Sequence, residues 1–129
     1  MTPRVVGIGG IFFKAHNPDA LREWYRTHLG LDISTWGGMA FDGMVSSPAG
    51  RQASTAWSIF PADTTHFAPS PAPFMINYRV ENLEDVLAAL RAEGCEVDSR
   101  TDVSEFGGFG WVMDPEGNRI ELWEPPLGA

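Results

Sequence analysis

Long apolar runs, paired cysteines and a surplus of positive charge are all missing from this 129-residue chain. Each absence removes a class of function. No stretch approaches the roughly 20 apolar residues of a membrane-crossing helix. The opening residues, Met1-Thr2-Pro3-Arg4-Val5-Val6-Gly7, have no long apolar centre of the secretion-signal kind. One cysteine, Cys95, can form neither an internal disulfide nor a cysteine-rich metal site. It is expected to be a buried thiol in a protein of the reducing cytoplasm. Lysine and arginine number 9 against 17 acidic residues, a net charge of −8. Such a surface repels phosphate backbones and anionic bilayers, so neither nucleic acid nor membrane is an expected partner. Charged residues at 20% and hydrophobic ones at 43% describe a globular chain. Its length is that of one domain.

Aromatic residues are plentiful by contrast. Five Trp and eight Phe are more than a minimal core of this size requires, and some of that surface is expected in a pocket or an interface. The hydrophobic pattern gives the element order. Val5 to Lys14 reads as a strand, bent or weakened at Gly7, Gly9 and Gly10. Asn17-Pro18-Asp19 starts a helix, which Gly30 stops. Leu31 to Ser34 begins an extended segment, Gly37-Gly38 and Asp42-Gly43 are turn signals around Met39 to Phe41, and Ala53 to Phe60 is a strand. Residues 61–73, with Pro61, Pro69, Pro71 and Pro73, read as a connection. Phe74 to Val80 is a strand, Asn82 caps a second helix ended by Gly94, and Glu96-Val97 is extended. Phe109 to Met113 and Asn118 to Trp123 form a hairpin around Asp114-Pro115-Glu116-Gly117.

The order repeats. Ile11 and Ile76 hold equivalent strand positions, 76 − 11 = 65 residues apart. Asn17 and Asn82 cap at the same offset. Modules 5–60 and 74–124, side by side, would share one curved sheet with the helices outside and a concave face as the site.

The segments FFKAHNPDALREWYRTHLGL (residues 12–31) and WVMDPEGNRIELWEP (residues 111–125) resemble the vicinal oxygen chelate superfamily, which includes glyoxalases, bleomycin-resistance proteins and extradiol dioxygenases. The DPEGNRIEL hairpin is the most specific part of that resemblance. The resemblance implies an α+β fold of two βαβββ modules forming a curved mixed sheet, a homodimer, and a divalent metal in the concave cup. It does not imply one reaction. Metal-dependent members take His, Gln or Glu from the first strand of each module and Glu from the last. Carried over, the last-strand Glu is Glu121, while the other positions fall at Gly10, Met75 and near Trp57. None of these three supplies a good hard ligand. No resident metal is therefore expected. His66, in the proline-rich connection, is either an exposed loop residue or one that folds over the cup mouth and substitutes for a lost ligand.

Strand alternation assigns the cup face. Glu121 is then the candidate catalytic group, a general base or an orienting carboxylate, with Arg119 and Trp123 on its side. Met75, Asn77 and Arg79 face inward on their strand, as does Phe12 on the first, with Trp57 and Trp111 completing the lining. The arginines suggest an anionic group on the ligand. Three functions remain open. The first is a metal-free protein binding, and in one version modifying, a small aromatic or anionic molecule. The second is a metal-dependent glyoxalase-type lyase, isomerase or dioxygenase. The third is a non-catalytic drug-sequestering protein.

Overall fold

The computed structural model describes residues 4–42 and 54–127. Its strands are β1 (Val5–Ala15), β2 (Gly38–Asp42), β3 (Ser54–Pro61), β4 (Phe74–Val80), β5 (Glu96–Val97), β6 (Asp102–Ser104), β7 (Gly107–Met113) and β8 (Arg119–Glu124). Helix α1 (Pro18–Leu29) follows β1, and α2 (Leu83–Ala92) follows β4. The fold is the expected α+β arrangement. A mixed, open, curved sheet runs in the order β2-β3-β1-β4-β8-β7-β5, with β6 paired to β7.

Local chemistry accounts for most boundaries. Asn17 Oδ1 accepts from the Ala20 N–H at 3.2 Å, and Asn82 Oδ1 from the Asp85 N–H at 3.2 Å. Each satisfies one of the orphan donors of a helix start. Gly30 closes α1 at φ 67°, a left-handed conformation that favours glycine. At the β7–β8 turn, Asp114 Oδ1 accepts from the N–H groups of Glu116 and Asn118 at 2.9 Å each.

The two halves pair alike. β1 runs parallel to β3 and β4 parallel to β8, while β2 and β7 are the respective antiparallel neighbours. β1 and β4 join the halves antiparallel, and Ile11 lies directly opposite Ile76. The two residues that match in sequence therefore sit where an approximate two-fold axis crosses the sheet.

Three local expectations change. Leu31 to Ser34 is not a strand. The Ser34 N–H donates to the Gly38 carbonyl, and the Gly37 N–H returns to Ser34. This closes a turn where an extended pairing was expected. Asp102–Ser104 forms a short strand that the sequence reading did not contain. Cys95 is exposed, because it follows the end of α2 instead of packing beneath it. Ala53 and Gly43 lie outside the described residues.

Apolar packing is uneven. Val80, Leu83, Leu87, Val112 and Leu122 are buried between α2 and its half of the sheet. Helix α1 has no buried residue, and it meets the sheet through ring edges, with Tyr25 5.0 Å from Trp57 and 6.1 Å from Phe13. Phe67, Met75 and Trp111 form a second buried cluster with Phe12, Phe60 and Phe109 packed against it. No helix among the described residues is long and apolar enough to cross a membrane.

Candidate functional site

Strand register settles which side chains meet in the concave face. In one half Phe12 lies opposite Ser58, and in the other Asn77 lies opposite Glu121. One residue on, Phe13 opposes Ile59 and Tyr78 opposes Leu122. The equivalent positions are therefore Phe12 with Asn77 and Ser58 with Glu121. Trp57 shares the slot of Ile120, one residue out of phase with the cup. This corrects the expectation for Trp57, whose ring packs 5.5 Å from Phe13 and against Tyr25 on the α1 side. A slip of one residue moves a side chain to the other face of a sheet. It also corrects the group set around Glu121, which is Asn77, Phe12 and Ser58 in place of Met75, Gly10 and Trp57.

Glu121 is 4% exposed, and each of its carboxylate oxygens has a protein partner. Asn77 Nδ2 donates to Oε1 at 2.7 Å, and Trp111 Nε1 donates to Oε2 at 2.9 Å. His66 Nε2 lies 3.2 Å from the same Oε2. Buried carboxylates require such partners to offset lost hydration. His66 arrives from the proline-rich connection. Phe67 anchors that segment by complete burial, and the imidazole stacks on Phe60 with 5.4 Å between ring centres. His66 is neither a free loop residue nor part of the cup mouth: it reaches Glu121 while lining the neighbouring hollow. Only tertiary packing specifies that encounter, and no local signal in the sequence reports it.

Asn77 is 2% exposed, and its Oδ1 makes no hydrogen bond. A Cβ at position 9 would collide with that oxygen and lie 2.8 Å from the Trp123 ring. Gly9 thus lets β4 and β8 side chains rest against the β1 backbone. Pairing is irregular between Val5 and Gly7 and between Ile8 and Gly10, which bends β1 here.

The cup is a hollow of about 470 Å³. Phe12, Phe60, Phe109 and Trp123 give it an aromatic wall, and Asn77 and Glu121 give it a polar floor. Trp123 stacks on Phe109 at 6.1 Å and donates from Nε1 to the Phe106 carbonyl at 2.8 Å. Arg22 also lines the cup, but Nε bonds the Gly37 carbonyl and Nη2 the Ile59 carbonyl.

The other expected lining residues lie elsewhere. Met75 is completely buried with Phe67 and Trp111 and does not line the cup. Arg79 is also buried, and its Nη1 donates to the carbonyls of Ile8 and Ser54 at 3.2 and 2.8 Å. It ties β4 to β1 and β3 and does not line the cup. Arg119 sits on the Glu121 side of β8 but beyond the Trp111 indole, 4.9 Å from its ring centre. There it donates to Asp98 Oδ2 at 3.2 Å. Arg119 and Trp111 line a separate polar hollow of about 370 Å³, on the other side of His66. The inference of an anionic cup ligand rested on these two arginines, and neither guanidinium lines the cup.

Comparison with known proteins agrees with this architecture. The family described as "Glyoxalase-like domain" matches residues 10–123. No curated protein matches the chain by sequence. Among solved structures, methylmalonyl-CoA epimerase from Mycobacterium tuberculosis superposes with a TM-score of 0.63 at 16% identity, covering 97% of this chain and 91% of that one. A Streptomyces coelicolor methylmalonyl-CoA epimerase in complex with 2-nitronate-propionyl-CoA gives 0.68 at 14%, covering 97% and 99%. A structure described as an NAD-dependent benzaldehyde dehydrogenase from Legionella pneumophila gives 0.59 at 12%, covering 90% and 97%. At such identities the likeness is one of fold.

Proposed function

The chain belongs to the glyoxalase-like domain family, and from that premise we propose that its cup binds a small aromatic or amphipathic molecule without a resident transition metal. The observation that carries this reading is the make-up of the hollow. The rings of Phe12, Phe60, Phe109 and Trp123 line it, and the buried carboxylate of Glu121 already accepts from Asn77 and Trp111. Apolar concave surface with a few convergent polar groups is what small-molecule sites are made of. A ligand with an amine or hydroxyl donor suits Glu121 better than an anion does.

The donors among the described residues do not fit a tightly held divalent ion. A catalytic metal takes about three protein ligands. Here Glu121 and His66 converge, but Asn77 turns its amide nitrogen, not its oxygen, toward the carboxylate. Phe12 and Ser58 occupy the matching places in the other half. The Streptomyces coelicolor epimerase structure holds 2-nitronate-propionyl-CoA, and the phosphates of such a ligand call for free cationic groups. Among the described residues Arg22 is the cation that lines the cup, and its guanidinium is bonded to backbone carbonyls.

A second reading, in which the ligand is also modified, rests on the 3.2 Å approach of His66 Nε2 to Glu121 Oε2. A carboxylate and an imidazole in contact can relay a proton between a bound ligand and solvent. Simple sequestration uses the same cup without that step, and solvent deuterium entering the recovered ligand separates the two. The exposed, unpaired Cys95 suits the reducing cytoplasm, and the homodimer implied by the family belongs to the same reading.

The binding test is a titration with neutral aromatic alcohols and amines, followed by tryptophan fluorescence and thermal shift. A ligand that binds the native state raises Tm. The expected result is a saturable response weakened roughly tenfold or more by Phe12→Ala or Trp123→Ala, each of which removes ring contact. Binding that ignores both substitutions places the ligand elsewhere and ends this reading.

A further inference from the structure

The polar hollow behind Trp111 is not accounted for by the cup, and we propose that it is a separate binding site for a carboxylate group. Arg119 is the basis of the assignment. Its side chain is 5% exposed and lines the hollow. Nη1 is taken by Asp98, and the Trp111 ring covers one face of the guanidinium. Nε has no hydrogen-bond partner although it is shielded from solvent. An unpartnered buried donor is costly, and a charged one more so. The free edge of the guanidinium, Nε and Nη2, matches a carboxylate with two parallel hydrogen bonds once the side chain turns that edge toward the hollow.

The surroundings are built for such a group. Asp98 accepts the Arg100 N–H at 2.9 Å, and Arg100 Nη2 lies 3.6 Å from the same side chain. One acidic residue thus aligns both arginines at the rim. The hydroxyl residues Thr65 and Thr101 line the hollow with them. Asp102, also in the lining, disfavours multiply charged ligands, so a single carboxylate is favoured over a phosphate.

The position gives the site its meaning. His66 lines this hollow and touches Glu121, which lines the cup. Trp111 lines the hollow and donates to the same carboxylate. The His66–Glu121–Trp111 cluster is therefore a wall shared by an aromatic compartment and a carboxylate compartment. The carboxylate belongs either to a free small acid or to an acidic arm of the cup's own ligand.

Proton–nitrogen NMR on the intact chain tests this. The Arg119 Nε–H and Trp111 Nε1–H signals are followed during titration with acetate, benzoate and benzyl alcohol at constant ionic strength. The proposal expects a saturable shift of the Arg119 Nε–H signal with a carboxylate and none with benzyl alcohol, which on entering the cup moves Trp111 Nε1–H alone through Glu121. A response to acetate identifies free acids as sufficient, whereas a response to benzoate alone identifies an acid carried on an aromatic body. Arg119→Lys, which keeps the charge and loses the fork, should weaken carboxylate binding roughly tenfold. Arg100→Ala, at an exposed position, should weaken it severalfold without disturbing the fold. Absence of any saturable shift with either acid overturns the proposal. So does an equal response of the Arg119 signal to benzyl alcohol, or an affinity unchanged in both variants. Acetate probes this hollow alone, so failure here leaves the cup's aromatic titration to stand or fall separately.

Discussion

The two halves of the sheet share a pairing scheme and differ in what they place on it. Half one, from β1 to β3, contributes Phe12 and Ser58 at the centre of the concave face. Half two, from β4 to β8, contributes Asn77 and Glu121 at the matching positions. The same division runs through the packing. Helix α2 buries Leu83 and Leu87, whereas α1 buries no side chain and leaves Trp24 and Leu29 49% and 59% exposed. Duplication of a backbone plan thus leaves the chemistry of each copy free to diverge. Here the first copy supplies Phe12, Phe60 and Ser58, whereas the second supplies Phe109 and Trp123 together with the polar floor of Asn77 and Glu121.

The contrast in packing is the easiest to break. Leu87→Ala should cost about 2–5 kcal/mol, because it opens a cavity in a closed cluster. Leu29→Ala on α1 should change stability by no more than ~0.5 kcal/mol. Urea unfolding of both variants measures the difference, and similar losses would mean that the halves are equally well packed.

Close approach at the seam comes next. Gly9→Ala sets a methyl against Asn77 and Trp123 and should destabilise by roughly 1–3 kcal/mol. Aromatic binding in the cup should weaken with it. A stable variant with an intact cup would show that β1 has room to yield.

The polar floor is probed by Trp111→Phe, which keeps the ring but removes a donor from Glu121. Leaving a buried carboxylate short of a partner should cost about 1–3 kcal/mol. The equivalent conservative change in half one, Ser58→Ala, removes a group with no part in this network and should cost less.

The smallest effects sharpen the symmetry itself. Asn17→Ala and Asn82→Ala each remove a helix cap and should each cost ~1 kcal/mol. A clear inequality would show that α1, resting on ring edges, depends on its cap more than α2 does. In half two, the Asn118 side chain and the turn N–H groups hold the Asp114 carboxyl below its usual range. A lowered carboxyl pKa stabilises the fold above the unfolded value, and that contribution is lost as pH falls through the folded one. Asp114→Asn should therefore flatten the acid limb of the stability curve, as read by thermal melts between neutral and acid pH.

The fold was legible because its decisive signals are local. Asparagine caps, a glycine stop and the Asp114 turn act within a few residues. The Ile11–Ile76 repeat could be read as two copies of one plan. The site was legible only in part. Glu121 and Asn77 were placed by alternation along short, regular strands. Trp57 was not, since alternation cannot fix register across the long gap after α1. Arg79 and Arg119 were expected on the cup side by the same alternation, but a long side chain can cross a neighbouring strand. Gly7 and Gly9 allow that crossing for Arg79. The partnership of His66 with Glu121 spans 121 − 66 = 55 residues and is set by the burial of Phe67 next to it.

Metal content bears most directly on the account, because a cup with one apolar half should not retain a transition ion. Protein purified without chelator, alongside Glu121→Gln, is to be analysed by inductively coupled plasma mass spectrometry. The account predicts far less than one equivalent of Zn, Ni, Mn or Fe in both. A stoichiometric ion in the parent chain that disappears from Glu121→Gln would contradict it.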